Sequence, residues 1–299
     1  MTFPDTAPRT HRVIVNTDAK NEADDQFAIV HALLSETLDV RGIIPAHFGT
    51  HRSTTSMLDS RAEVDLLLDL LGMPEVRVEN GAEHALPDEA TAVDSPGAQL
   101  IIEEARKEGE GPLQICFLGP LTDMAAAILL APDIVATDTT VIWIGGPGYG
   151  TRVPGEGIEF NLSNDVAAAN VVLDSGITVW QVPRTLYTRV GVGYAELDEK
   201  VAPLGELGAY LVRQLTEWNA TYHPGPIEHR SLGDSPAIGL MLNPLGGQMR
   251  PVPAPRFSAE GAILPGSGGT VLVCEEYDVR YLLEDMFAKL RRFHATQDR

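Results

Sequence analysis

The chain has 299 residues and carries 42 acidic against 22 basic side chains, a formal net charge of -20. An excess of that sign argues against nucleic acid or an anionic membrane as the main partner, because both are held by clustered Lys and Arg, and it accommodates bound cations. Apolar residues make up 44% and aromatic ones only 6%, so the expected core is substantial and mainly aliphatic.

The opening, "MTFPDTAPRTHR", has no apolar segment, so a secretory signal is not expected and residues 1–11 read as a loose tail. "RVIVNTD" (12–18) reads as a buried strand and "DQFAIVHALLSE" (25–36) as a helix. A second strand, "DVRGIIPAHFG" (39–49), leads to a helix over about 54–71, and "EVRVENG" (75–81) reads as a third strand. A helix follows over about 97–108, then the strand "LQICFLG" (113–119) and the helix "LTDMAAAILLA" (121–131). "TTVIWIGG" (139–146), "NDVAAANVVLDSG" (164–176) and "ITVWQVP" (177–183) continue as strand, helix and strand. This βα alternation predicts an α/β fold, an open, mostly parallel Rossmann-like sheet with helices on both faces.

One domain is expected over 12–299, with a loop and helix insertion at about 184–235 that contains a helix near 204–219. "SPAIGLMLNP" (235–244) is helical, 250–275 reads as irregular strands because of Pro251, Pro253 and Pro255, and an amphipathic helix closes the chain. Cys116 and Cys274 lie in apolar strand-like runs and read as buried thiols in a reducing compartment rather than a disulfide or metal pair. No apolar run approaches the roughly 20 residues of a membrane span, and a cytoplasmic protein is expected.

The stretch "NTDAKNEADDQ" gathers Asp18, Glu22, Asp24 and Asp25 between the first strand and its helix. In open α/β sheets ligands bind at the carboxyl ends of strands, where Asp18 falls. Helix capping accounts for one or two Asp at the start of a helix, but not for Asp18 or Glu22. A hard divalent cation accounts for the set, since Ca²⁺ takes roughly 6–8 oxygen ligands. The segment offers no thiolate or imidazole, which disfavours zinc. Three later stretches also fall ahead of helices: "CFLGPLTDMAAA" (116–127), "IEFNLSNDVAAA" (158–169) with Glu159 and Asn161, and "HRSLGDSPAIGL" (229–240) with Asp234. Taken singly, Asp234 before Pro236 reads as a helix cap, and Glu159 and Asn161 as turn residues.

In this order, from about 12 to 290, the stretches resemble the inosine-uridine type nucleoside hydrolase superfamily, in a divergent branch with a longer loop between Asp18 and the Asp pair. The resemblance implies Ca²⁺ held by the side chains of Asp18, Asp25 and Asp234 and the carbonyl of Thr122. Asp18 would also be the general base toward water at the metal, a chemistry in which a cation lowers the pKa of the water and orients it. Asp24 would bind the ribose 2′-hydroxyl, Asn161 the ribose hydroxyls and Glu159 the 5′-hydroxyl. The implied reaction is hydrolysis of an N-glycosidic bond through an oxocarbenium-like transition state, the nearby acceptors stabilising its positive charge. A homodimer or homotetramer is implied as well.

Some positions depart from the family pattern. Gly233 stands where a His precedes the last Asp and helps the base depart, Val153 and Gly49-Thr50 stand where Asn is usual, and Asp123 replaces Asn after Gly-Pro-Leu-Thr. His229 is the chosen candidate for protonating the leaving group, with His223, Tyr222 and Tyr187 as alternatives. Trp218 and Tyr222 either stack on the base or, at helical spacing, pack the helix. His47, His51 and His84 read as structural. Two other readings stay open: a non-catalytic or altered relative that binds a ribose-like sugar or cleaves another glycoside, and an enzyme phosphorylated on Asp18, which lacks the expected phosphate clamp.

Overall fold

The computed structural model describes residues 11–150 and 157–297; the expected tail apart from His11, and Val153, lie outside them. The strands are β1 (His11–Thr17), β2 (Leu38–Pro45), β3 (Leu113–Phe117), β4 (Thr139–Ile144), β5 (Thr178–Val182), β6 (Gly191–Gly193), β7 (His229–Ser231), β8 (Gly247–Phe257) and β9 (Ile263–Tyr277). Seven of them form one sheet in the order β2-β1-β3-β4-β5-β9-β8. The pairs from β2 through β9 are parallel, and β8 alone runs antiparallel, against β9. The open, mostly parallel sheet read from the sequence is the one found.

Successive residues of each central strand enter opposite faces of the sheet. Val13 and Val15 join the apolar cluster of one face with Cys116, Ile142 and Ile144, while Ile14 joins the other with Ile115, Phe117, Val141 and Trp143. Both faces are covered, so these strands read as continuous apolar runs rather than alternating ones. The helices are α1 (Asp25–Leu33), α2 (Ser56–Leu71), α3 (Pro96–Ala105), α4 (Thr122–Leu130), α5 (Phe160–Asn164), α6 (Val166–Asp174), α7 (Arg184–Tyr187), α8 (Tyr194–Lys200), α9 (Gly205–Tyr222), α10 (Ser235–Leu242) and α11 (Val279–Gln297). α1, α2, α9, α10 and α11 cover the first face; α3, α4 and α6 cover the second. Both cysteines are buried and free. No helix of the described residues is long and apolar enough to cross a membrane.

Two expectations change. His11 belongs to β1 rather than the tail. "EVRVENG" makes only a single parallel bridge, Val78 with Ile43. Its backbone lies along β2, with Ile43 N–H donating to the Arg77 carbonyl at 2.9 Å and Glu79 N–H to the Ile43 carbonyl at 3.1 Å. Residues 250–275 are strands, as expected, most of them in a long antiparallel hairpin of 11- and 15-residue strands, and their register shifts between Gln248 and Met249 and between Pro253 and Pro255. Its proline-rich strand, β8, takes the outer position, where a missing N–H is tolerated. Within 184–235, β6 and β7 pair as a separate small sheet beside α7, α8 and α9.

Candidate active site

The carboxyl ends of β1, β3 and β4 and the starts of α1, α5 and α10 surround a small cavity of about 50 Å³ lined by Asp18, Asp24, Asp25, Asp234, Glu159 and Asn161 among others. Asp24 and Asp234 occupy the N-cap positions of α1 and α10, yet neither side chain caps its helix. They turn toward each other instead: ligand atoms of Asp24, Asp25 and Asp234 lie within 4.8 Å of one another, all three residues buried. Asp25 is steadied by the Thr17 hydroxyl at 2.5 Å, and Asp24 accepts the Gly233 N–H at 2.8 Å. Asp18 is 2% exposed, and its Oδ2 is buried with no hydrogen-bond partner among the described residues.

Burial and mutual repulsion raise the proton affinity of these carboxyls. Desolvation, then the charge of Asp25, pushes Asp18 well above the ordinary range. Desolvation and Glu22 raise Asp24 to about 7 against the opposing pull of Arg230. Asp25 rises to about 6, chiefly by burial, and Asp234 is pushed well up by burial and then by Asp24 and Asp25. A buried set of like charges with only Arg230 to offset it is unfavourable unless protonated or bound to a cation. The all-oxygen donors and the unpartnered Asp18 oxygen therefore fit a hard divalent cation.

The opposite wall is built differently. Glu159 does cap its helix, accepting from Asn161 N–H at 3.2 Å and Leu162 N–H at 2.9 Å. It also accepts from Gly146 N–H at 2.7 Å and the Tyr187 hydroxyl at 2.8 Å. These four bonds fill the roughly four acceptor positions of a carboxylate, so the polar group of this pair still able to meet a ligand is the Tyr187 oxygen. Asn161 donates both amide hydrogens, to the carbonyls of Leu118 at 2.6 Å and Ile144 at 2.8 Å, which leaves its oxygen as acceptor. Gly233 sits against the Tyr187 ring: a Cβ there would lie 3.1 Å from Tyr187 Cδ2. Tyr187 thus fills the space that a histidine at 233 would need.

Four expected site residues, Thr122, His229, Trp218 and Tyr222, do not line the cavity. Thr122 opens α4, where a carbonyl points along the axis toward the N–H four residues on. Its hydroxyl donates to Asp165 Oδ2 at 2.8 Å and accepts from His47 Nε2 at 2.8 Å. The cavity residue on that segment is Leu118, at the end of β3. His229 is exposed on β7 and lines a separate hollow with His223 and Ile227. Alternation along β7 turns the next residue, Arg230, inward to pair with Glu22.

Trp218 and Tyr222 stand at the rim, with ring centroids 4.8 Å apart. Trp218 Nε1 donates to the Asn21 carbonyl at 3.0 Å and Gln214 Nε2 to that of Ala23 at 2.9 Å, so α9 pins the long loop between Asp18 and Asp24. His47 is buried; Gly49 N–H donates to its Nδ1 at 3.2 Å, and burial lowers it to about 4, so it is a neutral structural residue. Leu118, Asn21, Arg52 and Arg230 were missed. A single leucine or asparagine carries no chemical signal in sequence, and the two arginines stand near the site segments without matching any motif.

A buried, oxygen-lined cavity at the carboxyl edge of a parallel sheet defines a cation-compatible pocket for a small polar ligand. A family model described as inosine-uridine preferring nucleoside hydrolase matches residues 13–281, and the chain belongs to that family of N-ribosyl hydrolases. Among curated relatives, a pyrimidine-specific ribonucleoside hydrolase RihA of Escherichia coli is 28% identical over 217 residues, 67% of this chain and 69% of that one. The same-named protein of Salmonella newport is 29% identical over 218 residues, again 67% and 69% of the two chains. The purine-preferring ribonucleoside hydrolase from Gardnerella vaginalis shares the fold with a TM-score of 0.78 at 22% identity, covering 95% of this chain and 99% of that one. An inosine-guanosine nucleoside hydrolase superposes with a TM-score of 0.74 at 19% identity, covering 94% and 98%.

Proposed function

We propose that this cavity hydrolyses the N-glycosidic bond of a ribonucleoside or modified nucleoside with the help of a divalent cation, calcium by its donor set. One observation carries the reading: Asp24 and Asp234 hold helix N-cap positions but leave the helices uncapped and converge with Asp25, in a cavity that the unpartnered Asp18 also lines. A scaffold has no use for that arrangement, because each uncapped helix start forgoes roughly 1 kcal/mol.

Asp18, Asp25 and Asp234 would hold the cation, and the Leu118 carbonyl is the backbone oxygen placed to assist them. When bound, a cation offsets their repulsion and makes water more acidic and better oriented. Asp18, whose burial strengthens it as a base, takes the proton from the attacking water. Asp24 and the Asn161 oxygen accept from the ribose hydroxyls, and their negative charge favours the cationic sugar of the transition state. The Tyr187 oxygen, held by Glu159, meets the 5′-hydroxyl. Trp218 and Tyr222 flank the base from the rim. The family resemblance also supports a cytoplasmic homodimer or homotetramer.

The test incubates the protein with a panel of common and modified nucleosides, with and without a calcium chelator, and measures free ribose. Chelator-sensitive ribose release supports the reading; no ribose from any nucleoside sinks it. A second reading, a ribose-like sugar binder without hydrolysis, draws on Gly233 and is favoured if nucleosides bind without being cleaved.

A further inference from the structure

The base-side corner of the cavity lacks a proton donor. Gly233 has no side chain, His229 faces elsewhere, and the Tyr187 hydroxyl is already given to Glu159 at 2.8 Å. The mouth holds positive charge instead. Arg52, on the loop after β2, places its guanidinium carbon 5.5 Å from the Phe160 ring centroid, 5.5 Å from Trp218 and 4.9 Å from Tyr222. Its Nη1 donates to the Asn21 carbonyl at 2.6 Å and to Asn21 Oδ1 at 2.7 Å. Asn21 and Phe160 both line the cavity, so Arg52 is fixed to its rim on two sides. Its Nε and Nη2 bond to no described residue, and no described carboxylate pairs with it, in a chain with 42 acidic side chains. Arg230 stands beside it, 4.5 Å over the Trp218 ring and paired with Glu22. Its buried Nε has no partner among the described residues.

Aromatic faces favour a guanidinium and hold it in one plane, and a planar cation with open donors suits a planar anion. On the hydrolase reading above, we propose that Arg52 is the leaving-group residue: it receives the departing base as an anion, by charge and by N–H donation, where a proton donor is missing. The C1′–N bond breaks and its electron pair stays on the base nitrogen. Water oxygen bonds to C1′, and one of its protons passes to Asp18. The base takes its own proton from solvent after release, and Asp18 returns its proton to solvent. The preferred substrates are then ribosides of bases whose anions are stable, such as electron-poor or carboxylate-bearing heterocycles. Because a guanidinium stays charged throughout the working range, the rate should not fall on the alkaline side through loss of a donor proton.

The experiment measures kcat/KM for a series of ribosides, from p-nitrophenyl riboside, whose aglycone leaves unaided, to nucleosides with poor leaving groups. Wild type, Arg52→Gln and Arg52→Lys are compared. Arg52 is exposed, so folding is not at stake, and equal melting temperatures verify that. Arg52→Gln should lose about 100-fold or more on poor leaving groups, as when one preorganised donor to a developing anion is removed. It should stay within about 3-fold of wild type on p-nitrophenyl riboside, whose barrier needs no such help. Arg52→Lys should recover part of the loss. Equal losses along the whole series, or none, overturn the assignment while leaving the hydrolase reading intact. A wild-type protein that cleaves no riboside, p-nitrophenyl riboside included, overturns both.

Discussion

Gly233→Ala is the smallest change that tests why the base-side corner carries no side chain. The backbone of Gly233 lies outside the left-handed region, so conformational strain is not the obstacle. A Cβ there would stand 3.1 Å from Tyr187 Cδ2, 3.2 Å from Asp24 Oδ2 and 3.4 Å from the Tyr187 carbonyl oxygen. The first two are tighter than ordinary contact, and neither neighbour is free to swing away. Tyr187 is tied to Glu159, and Asp24 to the N–H of Gly233 itself. Overpacking of this kind costs about 1–3 kcal/mol, and a misfit of a few tenths of an ångström belongs near the lower end, about 1 kcal/mol. Tyr187→Ala removes the closest contact. The double variant should therefore be more stable than the sum of the singles predicts, by about 0.5–1 kcal/mol. Urea unfolding of wild type, both single variants and the double variant measures this coupling. Strict additivity would refute the idea that Tyr187 excludes a side chain at 233.

Four further outcomes are expected. Asp25→Ala should abolish calcium binding measured by calorimetry; unchanged calcium content removes Asp25 from the metal site. Asp24 and Asp25, raised to about 7 and about 6 against an ordinary 3.8, bind protons more tightly folded than unfolded. Their contribution is thus fully present below the unfolded value and lost as pH rises through the folded ones. With chelator, the melting temperature should fall from about pH 5 to about pH 8, and saturating calcium should shrink that fall because the cation replaces protons; a metal-free melting temperature that rises over this window counts against the buried cluster. His229→Ala should leave kcat/KM within about 2-fold, since no bonding in the transition state is removed, and a loss beyond that returns it to the site. Asp123 accepts from Ser95, Ala82 and Asn16, while Asn16 Oδ1 has no partner. Asp123→Asn should therefore cost less than about 1 kcal/mol by flipping Asn16, and Asp123→Ala more than about 2 kcal/mol by stranding its donors; equal costs in denaturant unfolding would show that the amide cannot flip.

The sheet was legible because covered strands announce themselves as apolar runs: "VIV", "ICF" and "VIWI" are all core on both faces. Asp18, Asp24, Asp25 and Asp234 were legible because charge at a strand end is anomalous, and motif order then assembled them. What failed is what depends on rotation about an axis or on pairing. A motif supplies Thr122 or Leu118 equally well, and only the turn into α4 decides which carbonyl faces the cavity. His229 and Arg230 are adjacent in sequence and opposite in direction, and β7 is too short for its alternation to be read. Pro251, Pro253 and Pro255 showed the register shift between Pro253 and Pro255 but not the length of the hairpin, because sequence shows that donors are missing but not which side misses them.

Those prolines also limit how copies of this chain can meet. A strand that still pairs with β9 must carry its proline positions on the far side, so the outer rail of β8 lacks donors at alternate residues. At the opposite margin, residues 77–81 run alongside the end of β2 and bond to the backbone of Ile43 and Pro45. Along these stretches neither margin offers a ready template for another strand. A symmetric assembly that spares these stretches is built from side chains on the helical layers or the loop rim, and its stability answers to surface substitutions there rather than to backbone complementarity.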